Sequence, residues 1–174
     1  MTKPTPRVLI LGNSGSGKST LAKRLCASHQ CAHLDLDTLA WLPTQPPTRQ
    51  PLGESAVEID AFMARNDAWV IEGCYTDLLD LAKIRARELV LMDISVSDCQ
   101  ANARGRPFEP HKYASKEEQD RNLDMLLAWI AQYAERDDTF SAAAHRSFFE
   151  SFGGTRHRLV NNAQSRAFEL THVD

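Results

Sequence analysis

A chain of 174 residues, 43% of them apolar, is long enough to bury one substantial core and too short for two full domains, so residues 1–174 read as one domain. Its 20 basic and 23 acidic residues leave a formal charge of −3, which excludes the overall positive field that draws a protein onto nucleic acid or anionic lipid. No window reaches the roughly 20 apolar residues of a membrane span, and residues 1–6 hold Lys3 without an apolar run, so a cytoplasmic protein with no membrane partner is expected.

Residues 7–11 (RVLIL) are a short apolar run stopping at a glycine, the pattern of a strand buried on both faces of a parallel sheet. Leu21, Ala22 and Leu25 then recur at helical spacing and predict a helix over Lys18–His29. A second strand is predicted over 32–36, followed by a loop that Pro43, Pro46, Pro47 and Pro51 keep from forming a regular helix or central strand. Val57, Ile59 and Phe62 mark a helix over 54–65. A third strand over 69–71 ends at Glu72-Gly73 in a turn.

Residues 88–93 (ELVLMD) predict a fourth, fully buried strand, and a basic segment with Arg104, Arg106, His111 and Lys112 follows it. Leu123, Leu126, Leu127, Ile130 and Tyr133 share one stripe of a helix predicted over 116–136. Ser141 is placed to cap a further helix ending before Gly153-Gly154, and a last strand is predicted over 158–161. Strands alternating with helices make an α/β protein with a mainly parallel sheet, whose ligands sit at the carboxyl ends of the strands. Cys26, Cys31, Cys74 and Cys99 form no C-x-x-C pair and read as reduced structural thiols, not as zinc ligands or a disulfide scaffold.

The sharpest signal is Gly12-Asn13-Ser14-Gly15-Ser16-Gly17-Lys18-Ser19, a full match to G-x-x-x-x-G-K-[ST] with the required strand before it and helix after it. Glycines let the backbone turn tightly with its N–H groups inward, and the helix dipole adds to their attraction for phosphate. Lys18 is expected at the β- and γ-phosphates, the Ser19 hydroxyl on Mg²⁺, and Thr20 beside them in the first helical turn. No Asn-Lys-x-Asp segment for guanine is present, which leaves ATP as the expected nucleotide.

Asp35 and Asp37 are two apart, so in an extended chain their carboxylates point to one side. One is suited to a water of the Mg²⁺ shell, and the other to take a proton from an acceptor hydroxyl. Glu72 and Asp93 each end an apolar strand, and spacing alone lets either serve as the Walker B acid. Arg104 and Arg106, broken from a helix by Gly105 and Pro107, suit a lid-like segment over about 104–120 that neutralises charge on the transferring phosphoryl. Arg121 and Arg136 stand behind them.

With these residues the chain resembles, over most of its length, the small P-loop kinases of the nucleoside-monophosphate and shikimate kinase group. The P-loop, Asp35-x-Asp37, Trp69-Val70-Ile71-Glu72-Gly73-Cys74-Tyr75 and the arginines after the fourth strand fall in that group's order. Within it the chain is most similar to proteins called adenylate kinase-related or DNA topology modulation proteins, which carry a similar Trp-x-Ile-acid-Gly-x-Tyr segment. The resemblance implies a P-loop NTPase three-layer sandwich with helices on both faces, a short lid, and a five-stranded parallel sheet of order 2-3-1-4-5. It favours Glu72 over Asp93, and places Asp35 near Mg²⁺, Asp37 near the acceptor, Arg104 or Arg106 on the lid, and Asn161 and Asn162 near the adenine.

The activity so implied is transfer of the ATP γ-phosphoryl to a small-molecule acceptor. The chain lacks the glycine run of shikimate kinases after the third strand and the Asp-Gly-Phe-Pro-Arg segment of adenylate kinases, so neither shikimate nor AMP is indicated. The alternative is an ATP-binding regulatory P-loop protein with weak or no kinase activity. Monomer and homodimer are both open.

Overall fold

The computed structural model describes residues 5–171; the reading of residues 1–4 lies outside the described residues. The first apolar run is a strand, β1 (Arg7–Gly12), buried from its second residue onward, and it turns directly into helix α1 (Lys18–His29). Then come β2 (Ala32–Asp35), the one-turn helix α2 (Asp37–Ala40), a hairpin of β3 (Trp41–Leu42) and β4 (Thr48–Arg49), α3 (Leu52–Arg65), β5 (Trp69–Gly73) and α4 (Thr76–Lys83). The chain continues through β6 (Glu88–Met92), α5 (Val96–Gly105), α6 (Lys116–Arg121), α7 (Leu123–Ala131), α8 (Ala142–Glu150), β7 (Thr155–Leu159) and α9 (Asn162–Ala167).

Five strands make one parallel sheet, ordered β2-β5-β1-β6-β7. The labels depart from the expected 2-3-1-4-5 because the proline-rich segment holds two short strands, β3 and β4, which pair with each other in a separate antiparallel sheet. β1 lies between the strands at Trp69 and Glu88, and parallel register sets Gly73 beside Leu11, Met92 beside Gly12 and Asp35 beside Glu72. All the carboxyl ends therefore meet at one edge.

Alternation along the strands builds two cores. Leu9, Leu11, Ile71, Leu89 and Leu91 face Leu39 of α2, Ile59 of α3, Leu78 of α4 and Phe148 of α8. Val8, Ile10, Val70, Val90 and Met92 face Leu21 and Leu25 of α1, Cys99 of α5 and Ile130 of α7. Helices thus cover both faces, as strands apolar on both sides require.

Three expectations change. The helix predicted over 116–136 breaks at Asn122, whose side-chain amide and backbone N–H both donate to the Glu118 carbonyl, at 2.8 and 3.2 Å, and tighten the turn. The last strand begins three residues before the predicted 158 and ends at Leu159, leaving Val160 exposed. β2 stops at Asp35 and the chain turns into α2, so Asp35 and Asp37 do not share one extended strand. Among the described residues no helix is long and apolar enough to cross a membrane.

Candidate functional site

Beyond β1 the chain makes a tight loop that only glycine can follow at two points. Gly15 and Gly17 have φ of 76° and 90°, and a Cβ on Gly15 would stand 2.3 Å from the Cys99 carbonyl oxygen. The loop is tied from beneath: Asn13 Nδ2 donates to the Ile130 carbonyl at 3.2 Å, and Asn102 Nδ2 to the Gly15 carbonyl at 2.9 Å. Lys18 Nζ curls back to donate to the Asn13 carbonyl at 2.8 Å. The amino end of α1 carries neither a side-chain cap nor an acidic residue in its first turn, so its N–H groups and positive dipole end face the cavity above. Ser16 Oγ is buried there without a hydrogen-bond partner.

Residues 14–20 form the floor of a cavity of about 680 Å³, roofed by Arg106 and Lys112 and walled by Asp37, Glu72 and Asn162. Gly12 and Asn13 lie behind that floor and shape it. Strand order decides which acid arrives. Ser19 Oγ donates to Glu72 Oε1 at 2.6 Å, and Glu72 is almost fully buried with His33 Nε2 at 3.2 Å from the same oxygen. Asp93 leaves β6 on the side of β7 and is held by the Arg158 guanidinium at 2.8 and 2.5 Å. Of the two acids the sequence left open, Glu72 is the one joined to Ser19.

Asp35 and Asp37 converge by a route other than shared extension. Asp35 Oδ1 accepts the Asp37 backbone N–H at 2.9 Å, closing the turn into α2, and both carboxylates then meet Lys112 Nζ, at 3.2 Å from Asp35 Oδ2 and 2.7 Å from Asp37 Oδ2. His111 Nε2 adds a contact to Asp35 Oδ2 at 3.4 Å. From the other side the Tyr75 hydroxyl donates to Asp37 Oδ1 at 2.5 Å, and it accepts from Trp41 Nε1 at 2.8 Å. Burial pushes the Asp37 carboxyl up, but the Lys112 ammonium and the Tyr75 hydroxyl outweigh it and hold Asp37 below the ordinary carboxylate value. Burial lowers Lys112, and Asp37 and Asp35 more than reverse that, leaving its ammonium firmly protonated. Burial and the neighbouring Cys74 and Asp37 raise Tyr75, so it remains a donor.

The arginines divide. Arg106 lines the cavity and pairs with Glu109 Oε2 at 3.0 Å, whereas Arg104 is exposed at the end of α5 and forms no part of the cavity wall. Arg121 is exposed on α6, and Arg136 stacks on the Trp129 ring at 3.3 Å. Asn162 reaches the cavity in a reciprocal pair with Asn102, at 3.0 Å each way, while Asn161 is spent capping α9 through the Gln164 N–H. Lys112 and Tyr75 were given no role of their own at this site from sequence; His111-Lys112 within the basic segment was the available signal for Lys112. No cluster of three or more His, Cys, Asp or Glu able to hold a metal occurs among the described residues. Mg²⁺ does not need one, because it takes one or two carboxylates and fills its shell with water and phosphate oxygens.

No family model matches the chain. A stretch of 53 residues is 43% identical to an adenylate kinase of Prochlorococcus marinus (strain MIT 9313), covering 30% of this chain and 28% of that protein. The adenylate kinase of strain MIT 9303 matches over 53 residues at 42% identity, with the same shares. The match thus spans under a third of the length of these curated relatives. Among solved structures, an unliganded sugar kinase from Janibacter sp. HTCC2649 superposes with a TM-score of 0.49 at 17% identity, over 90% of this chain and 86% of the other.

Proposed function

We propose that the protein is a Mg-ATP-dependent phosphotransferase of P-loop kinase architecture that moves the γ-phosphoryl to a small-molecule hydroxyl or phosphate acceptor. The observation that carries this reading is the 2.6 Å contact of Ser19 with Glu72 at the foot of the glycine loop, in the same cavity as Asp37. A loop that only cradled an anion would need no buried carboxylate beside its serine hydroxyl. The donor set fits Mg²⁺: Ser19 Oγ and Glu72 are hard oxygen ligands, and Asp35 Oδ2 is buried with Lys112 Nζ and His111 Nε2 beside it. Bound there, Mg²⁺ would neutralise charge on the β- and γ-phosphate oxygens.

The protein's own groups supply the rest. Backbone N–H groups of the loop and of the first turn of α1 bind the phosphates, with Ser16 Oγ and Thr20 as further donors. Lys18 exchanges the Asn13 carbonyl for the β- and γ-phosphates. Asp37, held ionised and aimed by Tyr75, accepts the proton of the acceptor hydroxyl. Arg106 and Lys112, on the segment over about 104–120, close on the transferring phosphoryl and exclude water, whereas Arg104 is too exposed for that part. The short match to adenylate kinases supports phosphoryl transfer and says nothing of the acceptor.

The test is ADP release from Mg-ATP by purified protein against a panel of nucleoside monophosphates, sugars and small hydroxy acids. Stimulation by one class, lost in Lys18→Ala, would establish the kinase. Tight ATP binding with no stimulation by any acceptor would replace it with the regulatory ATP-binding reading.

A further inference from the structure

Two of the four cysteines, five apart in sequence and outside any C-x-x-C pattern, are brought into contact by the way α1 ends. Gln30 takes the left-handed conformation at φ 54°, the Cys31 backbone N–H donates to the Cys26 carbonyl at 3.2 Å, and the chain folds back so that Cys31 Sγ lies 3.0 Å from Cys26 Sγ. Both side chains are half-buried at the edge of the core beneath α1, where a small disulfide can reach them. Cys74 and Cys99 are fully enclosed, and burial pushes their thiols up to about 12 and about 11.

We propose that Cys26 and Cys31 are a thiol modification site, a dithiol that takes two-electron oxidation from a low-molecular-weight disulfide and closes into an intramolecular disulfide. A disulfide needs its sulfurs at about 2.05 Å, so the pair has roughly 1 Å to close, within the reach of side-chain rotation and a slight shift of the turn. Across that gap the Cys31 thiol donates to Cys26 Sγ. The contact with Cys26 draws the Cys31 thiol below its ordinary value, while Cys26 is held up by the same contact and by burial, which makes Cys31 the attacking sulfur.

The chemistry balances in two exchanges. The Cys31 thiolate attacks one sulfur of the disulfide RSSR; a Cys31–SR bond forms, the RS–SR bond breaks, and the departing RS⁻ takes up the proton that Cys31 released. Cys26 then attacks Cys31 Sγ, forming the Cys26–Cys31 bond and expelling the second RS⁻, which takes the Cys26 proton. Two protein thiols are oxidised and one RSSR is reduced to two RSH. The closed bond fastens the end of α1, the helix that carries Lys18 and Ser19 at its other end, to the start of β2, which ends at Asp35.

This inference does not depend on phosphoryl transfer, and its test uses no nucleotide. The folded protein is incubated with glutathione disulfide, quenched by alkylation and digested for peptide mass spectrometry. The expected result is a linked Cys26–Cys31 peptide lighter by two hydrogens and reversed by dithiothreitol, with Cys74 and Cys99 alkylated only after unfolding. Cys26→Ser should trap a glutathione adduct on Cys31, and Cys31→Ser should react with glutathione disulfide at least tenfold more slowly. Wild-type protein in which both thiols stay alkylatable, or in which each accumulates its own glutathione adduct without a link, would overturn the proposal.

Discussion

Asp37 is gripped by a cation and a phenol at once, and its two oxygens are divided between them: Oδ2 to Lys112 at 2.7 Å and Oδ1 to Tyr75 at 2.5 Å. Removing its charge while keeping its shape isolates its role. Asp37→Asn should leave Mg-ATP affinity within about threefold of wild type and lower acceptor-stimulated ADP release by about 10² to 10⁴, the range for losing a general base. Titration calorimetry and ADP release together check this, and full turnover in the variant would remove Asp37 from the mechanism. A second residue prediction concerns His145, which is fully buried between the Tyr133 hydroxyl at Nδ1 and the Cys74 carbonyl at Nε2, both 2.8 Å away. A carbonyl only accepts, so Nε2 carries the proton and Nδ1 accepts from Tyr133, leaving a neutral ring that braces the backbone just before Tyr75.

Burial first, and the Lys18 and Arg136 charges with it, lower His145 from 6.5 to about 4 against the opposing pull of the Cys74 carbonyl. A histidine whose folded pKa is lowered costs no stability above its unfolded value, and below it the unfolded chain gains a proton that the folded one refuses. Stability should therefore fall as pH drops from 6.5 to about 4, by about 3 kcal/mol in all. Asp37 works in a lower window: its folded pKa is depressed, so its contribution is present above 3.8 and is lost as pH falls through the folded value. His145→Gln, uncharged in both states, should flatten the melting temperature between pH 6.5 and 4 and leave the drop below 3.8. An unchanged profile in the variant would mean that another group carries the upper window.

At the scale of elements, legibility followed local pattern. The runs at 7–11, 69–71 and 88–93 and the stripe of α1 stand where their periodicities put them, because burial on both faces or on one stripe leaves a strong mark. Helices α4 and α5 were passed over although each had a signal: Leu78, Leu79 and Ala82 on one face, and Ser95 three residues before Asp98, whose N–H it caps at 3.1 Å. The β3–β4 hairpin was hidden by prolines that sit between and around its two-residue strands. The glycine loop was legible because one short segment holds it all. The Lys112, Tyr75 and Trp41 contacts were not, because each joins segments more than 30 residues apart whose meeting depends on the whole sheet.

The element that answers to this network is the segment from Arg106 to Tyr113, whose ammonium bridges Asp35 and Asp37. Lys112→Met keeps the length and removes the charge, leaving Asp35, only 8% exposed, with the His111 ring as its remaining contact on that segment. The free protein should lose about 2 kcal/mol, less than a fully buried pair would because Asp37 keeps contact with solvent. Mg-ATP should restore more stability to the variant than to wild type, since Mg²⁺ held near Asp35 as proposed would bring back the missing charge. Scanning fluorimetry with and without Mg-ATP reads both quantities, and equal ligand shifts in the two proteins would show that the lysine and the nucleotide do not compete for the acids.

For the molecule as a whole, two cores sandwich one sheet, and the glycine loop, Asp35 and Glu72 lie at the carboxyl ends of β1, β2 and β5. A ligand bound at that edge touches β1, β2, β5 and the helices that follow them, so its binding energy should be felt in global unfolding and not only in one loop. A nucleotide that binds only the folded chain adds about 2.7 kcal/mol at a hundred times its dissociation constant. For a chain of this size that corresponds to a rise in melting temperature of roughly 5–10 °C. The rise should depend on Mg²⁺, because the proposed function gives Ser19 and Glu72 to the metal, and it should vanish in Lys18→Ala, because the lysine is already curled over the loop. The measurement needs no acceptor. A shift that survives Lys18→Ala would place the nucleotide elsewhere on the protein and sink the site, whereas a shift that survives chelation of Mg²⁺ but not Lys18→Ala would keep the phosphate cradle and remove the metal from it.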